Sequence, residues 1–320
     1  MAQYTTLNQQ EIDLIGAEFS IKNIDSFSIL IGGSENTNYL LKSKSGSFVL
    51  TICEQKTAQR AIDLALLLEH LEKNQFKSSK IIRTSKNEPI RFWDQKPVMI
   101  KKFIDGIVHE KLTYHLLTIV GSELGKLHKI KAPEYLSKQT NFGKEQFSTV
   151  SKYASGSGFE TWLNKKLESI APYFSEKLPK ALIHSDLFCN NIVIAKDEQS
   201  ATIMDFEEAV YYYRVFDLGM TFIGACRDKK TIDTEKVKAF LKGYCSEIKL
   251  LTTEIDALKA FTIYAGTAMT FWRHLNFNYT EPTPALFDHY LELQIITDYM
   301  ERQPSDYFHK IINSIGFATI

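Results

Sequence analysis

Two short apolar runs, 192–195 and 201–204, interrupt a long stretch whose hydrophobic residues otherwise repeat at helical spacing. The polar segment 196–200 joins them, so the pair reads as an antiparallel hairpin embedded in a helical region. Its flanks constrain the chain further. His184-Ser-Asp186-Leu-Phe-Cys-Asn-Asn191 leads into the first strand, and Asp205-Phe206-Glu207-Glu208 leaves the second. In an antiparallel pair the start of one strand lies beside the end of the other. Pairing of Ile192 with Met204 would put Asn191 opposite Asp205, with α-carbons about 5 Å apart. Asp186 precedes Asn191 by five positions on the loop entering the same strand end. A lone Asp or Asn at a strand end is ordinarily a cap or a turn residue. Two acids and an amide converging on one edge are a site.

These groups suit phosphoryl transfer. Magnesium takes oxygen ligands and keeps positions open for phosphate, so an Asn carbonyl and an Asp carboxylate are a sufficient protein contribution. A carboxylate that does not hold the metal is free to orient an attacking hydroxyl or accept its proton. The expected roles are Asn191 and Asp205 on magnesium and Asp186 at the acceptor hydroxyl. A zinc reading of His184, Asp186 and Cys189 lacks a second ligand cluster at zinc-site spacing. His184 is expected to brace the loop from the core.

The rest of the chain supplies a frame for this edge. Ile12, Ile15 and Phe19 follow Thr6-Leu-Asn-Gln9, which has capping-box spacing, and predict a helix over about 7–19. The period then changes to short apolar runs at 26–31, 38–42 and 47–53, split by Gly32-Gly33 and Ser45-Gly46, which read as a three-strand meander. A helix over about 57–73 and strands at 80–84 and 97–103 complete a five-stranded lobe ending near Asp105-Gly106. Beyond it, helices are expected around 157–171, 215–225, 233–247, 253–275 and 284–301. The predicted fold is α+β with two domains: 1–105, a small antiparallel-sheet N-lobe, and 106–320, a large, mostly helical C-lobe carrying the hairpin.

Composition excludes several partners. Thirty-eight basic residues balance 38 acidic ones, so no global positive field draws in nucleic acid or an anionic membrane. The four cysteines are scattered, as expected of reduced thiols in a cytoplasmic protein. The apolar stretch 257–275 contains Lys259, Arg273 and His274 and reads as a buried helix, not a membrane span. Neither a Walker A loop nor a dinucleotide fingerprint occurs.

His-x-Asp-Leu-x-x-x-Asn followed by Asp-Phe-Glu resembles the catalytic and metal-binding loops of the aminoglycoside phosphotransferase and choline kinase superfamily, whose fold is similar to that of protein kinases. Within it, Glu35-Asn-Thr-Asn-Tyr-Leu-Leu41, Ser47-Phe-Val-Leu-Thr51, the 184–191 loop and Phe216-Asp217-Leu218 look like type II homoserine kinases. Phe271-Trp272 is a weaker match. The resemblance implies a protein-kinase-like two-lobe fold, ATP and Mg2+ as cofactors, and a small amino-alcohol substrate. It makes Asp186 the catalytic aspartate and Asn191 and Asp205 the metal ligands. It also places the nucleotide at Gly33, Ser34, Asn36 and Asn38 of a covering loop, at Thr51, and at Lys101 and Phe103 of a hinge.

Two departures follow. Most related kinases carry a phosphate-pairing Lys where this chain has Thr51. Homoserine kinases of this type tolerate Thr there, which leaves the phosphate cation open, with Lys56 and Arg60 as candidates. Glu207-Glu208 stands where homoserine kinases usually carry an aromatic and then a small residue, and is closer to choline and antibiotic kinases. A homoserine acceptor needs a cation for its carboxylate, from Arg214, Arg227 or Arg273, and an acid for its ammonium, from Glu207 or Glu208. Homoserine is the leading acceptor. Choline, ethanolamine or an aminoglycoside is the alternative, and a catalytically silent nucleotide-binding scaffold is the reading from a different class.

Overall fold

The computed structural model describes residues 5–30 and 36–316. The chain divides into two compact units, Met1–Asp105 and Gly106–Ile320.

The first unit opens with α1 (Gln9–Glu18). The capping box sits two residues later than its expected position: Asn8 accepts from the Glu11 backbone, and the Glu11 side chain accepts from Asn8 N–H. Leu7 stays outside the helix because it is buried and its N–H is bound by Tyr39 Oη. A sheet follows: β1 (Ile24–Leu30), β2 (Asn36–Ser43), β3 (Gly46–Cys53), then, after α2 (Ala58–Lys73), β4 (Ile81–Ile82), β5 (Arg91–Trp93) and β6 (Lys96–Lys102). The sheet is antiparallel in the order β1-β2-β3-β6-β4, with β5 also on β6. It therefore has six strands where five were expected. The extra one is the three-residue β5, too short to carry a periodic signal. Leu50 and Ile52, with Tyr39, Leu41, Val98 and Ile100 from neighbouring strands, join the α1 residues Ile12 and Ile15 in one apolar cluster. Thr51 lies between Leu50 and Ile52 on β3, is fully buried, and donates to Asn38 Oδ1 at 2.7 Å.

The second unit is mostly helical: α3 (Tyr114–His128), the short α4 (Lys144–Phe147) and α5 (Val150–Tyr153), α6 (Gly158–Ile170), α7 (Arg214–Gly224), α8 (Thr234–Glu247), α9 (Thr252–Leu275), α10 (His289–Glu301) and α11 (Tyr307–Ser314). Its strands are β7 (Lys180–Ile183), β8 (Ile192–Ile194), β9 (Ala201–Ile203), β10 (Val210–Tyr213), β11 (Arg227–Asp228) and β12 (Thr231–Ile232). The expected hairpin is β8–β9. Two further ladders, β7–β10 and β11–β12, were not expected. Tyr211 to Tyr213 follow Val210 in β10, and Tyr212 and Tyr213 are buried packing. The last predicted helix starts at His289 instead of 284, because 284–286 form a separate single turn. The apolar segment ending at 275 is the buried helix α9, and no helix among the described residues is long and apolar enough to cross a membrane.

Gly106 and Ile107 tie the chain entering this unit to the hairpin. Ile107 N–H donates to Ile194 O and Ile194 N–H to Ile107 O, each at 2.8 Å. A Cβ on Gly106 would lie 2.5 Å from Ile194 O, so a side chain there would push β8 out of place.

Candidate active site

The β8–β9 hairpin differs by one residue from its expected register. Ile192 pairs with Ile203, and Met204 N–H donates to Asn191 O at 2.9 Å. Asn191 therefore faces Met204, and Asp205 lies one position beyond. Asp205 turns there with φ 66° and ψ 65°, leaving the strand for a single 3-10 turn over 206–208. Left-handed backbone in a non-glycine residue persists only where its surroundings enforce it, and such residues cluster at functional sites. Ser185, on the opposite arm, has φ 63°.

The loop from β7 is held at three points. Asp217, fully buried in α7, accepts the backbone N–H groups of His184 and Ser185, each at 2.7 Å. His184 is fully buried; its Nε2 donates to Met204 O at 2.9 Å, and its Nδ1 accepts Asp186 N–H at 3.2 Å. Burial holds this imidazole below its ordinary pKa, so it is neutral, with Nε2 protonated. Ser185 Oγ donates to Glu208 O. The expected bracing role of His184 is thus a hydrogen bond across the hairpin.

These constraints present Asp186. Asn191 Nδ2 donates to both Asp186 O, at 2.8 Å, and Asp186 Oδ2, at 3.1 Å. Burial, then the charges of Asp205 and Glu208, push the Asp186 carboxyl up to about 8, against the opposing pull of Asn191 and Arg273. One edge therefore gathers Asp186, Asn191, Asp205, Glu208 and Arg273. Three carboxyl groups share it with the single guanidinium of Arg273. The amide of Asn191 spends its nitrogen on Asp186, and its oxygen, which accepts from Asn190 Nδ2 at 3.2 Å, keeps a second lone pair for a cation. That donor set fits a divalent ion with oxygen preference: excess negative charge, the exposed acid Asp205 and the amide oxygen of Asn191. Among the described residues no group of three or more His, Cys, Asp or Glu side chains is placed to hold a metal ion.

Other expected residues lie elsewhere. Arg214 is not brought to Asp186; its Nε and Nη2 clasp the fully buried Glu254, each at 2.5 Å. Glu208 accepts from Asn141 Nδ2 at 2.8 Å, while Glu207 is half-buried in the 206–208 turn. In the first unit Asn38 and Thr51 are cross-strand partners, Lys101 pairs with Val49, and Phe103 N–H donates to Ser47 O at 3.0 Å. Asn36 opens β2 opposite Cys53. Gly33 and Ser34 lie outside the described residues. The expectations made no use of Asp217 beyond its place in a motif. Its signal was a lone acid inside Val215-Phe-Asp217-Leu-Gly-Met-Thr-Phe-Ile223, where only a fully hydrogen-bonded carboxylate is tolerable.

Known proteins resemble this chain over most of its length. The profile of the phosphotransferase enzyme family matches residues 26–259. A homoserine kinase of Paramagnetospirillum magneticum is 24% identical over 297 residues, covering 89% of this chain and 90% of that protein. Among solved structures, an amicoumacin kinase in complex with AMP-PNP, Ca2+ and its antibiotic has a TM-score of 0.71 at 15% identity, covering 95% of this chain and 97% of that one. A microcompartment-associated aminopropanol kinase has a TM-score of 0.68 at 16% identity, covering 96% and 99%. The fold is accordingly α+β and protein-kinase-like, with the small antiparallel sheet in one unit and the helices concentrated in the other.

Proposed function

This chain belongs to the phosphotransferase enzyme family, an enzyme that moves phosphate to an alcohol group, and on that premise we propose that it transfers the γ-phosphate of ATP to the side-chain hydroxyl of homoserine. The observation that carries the proposal is Asp186, fixed by Asn191 and set in the field of Asp205 and Glu208. The relatives support the acceptor: homoserine kinases match along most of the chain.

In this reading Asp186 accepts a hydrogen bond from the acceptor hydroxyl and aims its oxygen at the γ-phosphorus. As the new P–O bond forms and the bond to the ADP oxygen breaks, the hydroxyl proton passes to the Asp186 carboxylate. Asn191 and Asp205 would hold a magnesium ion, which supplies charge neutralisation to the nucleotide phosphates. A cation held there would also offset the Asp205 charge that pushes Asp186 up, and Asp186 would be better able to work as a carboxylate. Asp217 and His184 do not touch substrate; they fix the loop. Asn36, Asn38, Thr51, Lys101 and Phe103 are the proposed nucleotide contacts of the first unit.

The test is ADP release with ATP and Mg2+ across homoserine, choline, ethanolamine and an aminoglycoside. Homoserine is expected to give the highest kcat/KM. Asp186→Ala should lower kcat by about 10²–10⁴ while ATP affinity stays within a few-fold. Full turnover in that variant would remove Asp186 from the chemistry, and preference for another acceptor would remove homoserine.

A further inference from the structure

Beside the 184–191 loop the second unit has a cavity of about 410 Å³, walled on one side by residues 188–190 of that loop. Its charged lining is Lys111, Arg227, Lys229 and Lys236 against Glu110 and Glu292. Four cations facing two acids make this an unusual wall for an acceptor pocket if the acceptor were a simple amine, because an ammonium group would be repelled.

The wall is organised around one carboxylate. Arg227 Nη1 lies 2.9 Å from Glu292 Oε2, and Arg273 Nη1 lies 3.4 Å from the same oxygen. Neither contact is a tight fork. Arg227 Nη1 is buried, yet it makes no well-aligned hydrogen bond. Glu292 itself is 38% exposed, so its carboxylate is open to solvent on one side. Burial alone would raise its pKa, but the contact with Arg227, then the charge of Arg273, leaves it lower than ordinary. Arg273 is mostly buried, its guanidinium stands 5.9 Å from the centre of the Phe188 ring, and its charge reaches Asp186. Two arginines holding one oxygen, with donor capacity to spare, are an anion site in waiting.

We propose that Arg227 and Arg273 bind the α-carboxylate of the acceptor, with Glu292 between them taking its ammonium group. The proposal rests on the homoserine reading and deepens it. A carboxylate brought to this pair restores the charge balance of the wall, and the neighbouring ammonium replaces one arginine contact at Glu292. Arg–Glu–Arg is thus a zwitterion receptor. It distinguishes an amino acid from choline, ethanolamine or an aminoglycoside, all of which lack the carboxylate. Lys236 supports the geometry by donating to Arg227 O at 3.3 Å.

The test compares L-homoserine with 3-amino-1-propanol, the same molecule without its carboxylate, by ADP release from the full-length protein. The wild type is expected to favour homoserine in kcat/KM by about 10- to 100-fold, the range of a charge-assisted hydrogen bond. Arg227→Gln should shrink that ratio at least about tenfold, with the loss falling on KM, and Arg227→Lys should restore part of it. Equal use of both compounds by the wild type overturns the clamp and leaves the kinase reading intact. So does an Arg227→Gln variant that melts at the wild-type temperature and keeps the full preference. ADP release with neither compound overturns the homoserine reading, and the clamp falls with it.

Discussion

At the residue scale the chain holds Asp186 in a condition that stability alone would not select. Its carboxyl is raised from 3.8 to about 8, by burial first and by Asp205 and Glu208 next. The folded state therefore binds this proton more tightly than the unfolded chain does. The contribution to stability is full below about 4, falls as pH rises toward about 8, and is constant above that, the reverse of a salt-bridged Asp. Asp186→Asn removes the titration. In metal-free, nucleotide-free protein, the melting temperature of the variant relative to wild type should climb between pH 4 and pH 8 and then level. A flat difference across that range would show that Asp186 ionises as an ordinary surface acid. Ser185 and Asp205 have left-handed backbones, and that of Ser185 is held by its N–H on Asp217 and its hydroxyl on Glu208 O.

At the scale of elements, the second unit spends two helices on holding one carboxylate. α3 ends in His128, whose Nε2 lies 3.1 Å from Asp217 Oδ2, and α8 supplies Tyr244, whose hydroxyl lies 2.9 Å from His128 Nδ1. The helices reach this position because glycines let their backbones touch. A Cβ on Gly243 would stand 1.8 Å from Thr118 O, and one on Gly121 would stand 2.1 Å from Phe240 O. Gly243→Ala should therefore destabilise the protein by about 1–3 kcal/mol, although helix propensity alone favours Ala by about 1 kcal/mol. It should also lower kcat more than the KM for ATP, since the displaced helices carry the support of Asp217. Chemical denaturation and steady-state kinetics on the one variant measure both, and unchanged stability would mean that the helices do not meet at this glycine. Much of this level was legible in the sequence. Helix α9 declared itself by its periodicity and the meander by its turns. The hairpin was found with its register one residue out, because Asp205 leaves the strand in a conformation that no composition signals. The β7–β10 ladder went unread: each strand has four residues, and 26 residues separate them, so no local pattern links the two. Of the site, Asp186, Asn191 and Asp205 were legible as a motif. The support from Asp217 was not, because it depends on where a distant helix packs.

At the scale of the whole molecule, the balance of 38 basic and 38 acidic residues conceals a local imbalance. Acids gather around Asp186 and bases line the neighbouring cavity, a charge pattern that the proposed cation and anionic group would neutralise side by side. Ligand binding should then appear as a gain in stability, because a ligand held only by the folded state stabilises it by about 2.7 kcal/mol at a hundredfold excess over Kd. ATP with Mg2+ is expected to raise the melting temperature, and ATP with EDTA to raise it less, the difference measuring the contribution of the metal. Asp205→Asn keeps the shape of the residue and removes its charge. It should erase most of that difference while leaving the metal-free protein at least as stable as wild type, since it relieves repulsion at Asp186. Asp217→Asn provides the contrast: two backbone N–H groups lose their carboxylate, at about 1–3 kcal/mol for each donor left unsatisfied, so the unliganded protein should melt lower. A metal-dependent shift that survives in Asp205→Asn would place the ion at other residues. Loss of stability in the unliganded Asp205→Asn protein would mean that this exposed acid supports the fold, contrary to a site strained toward its ligand.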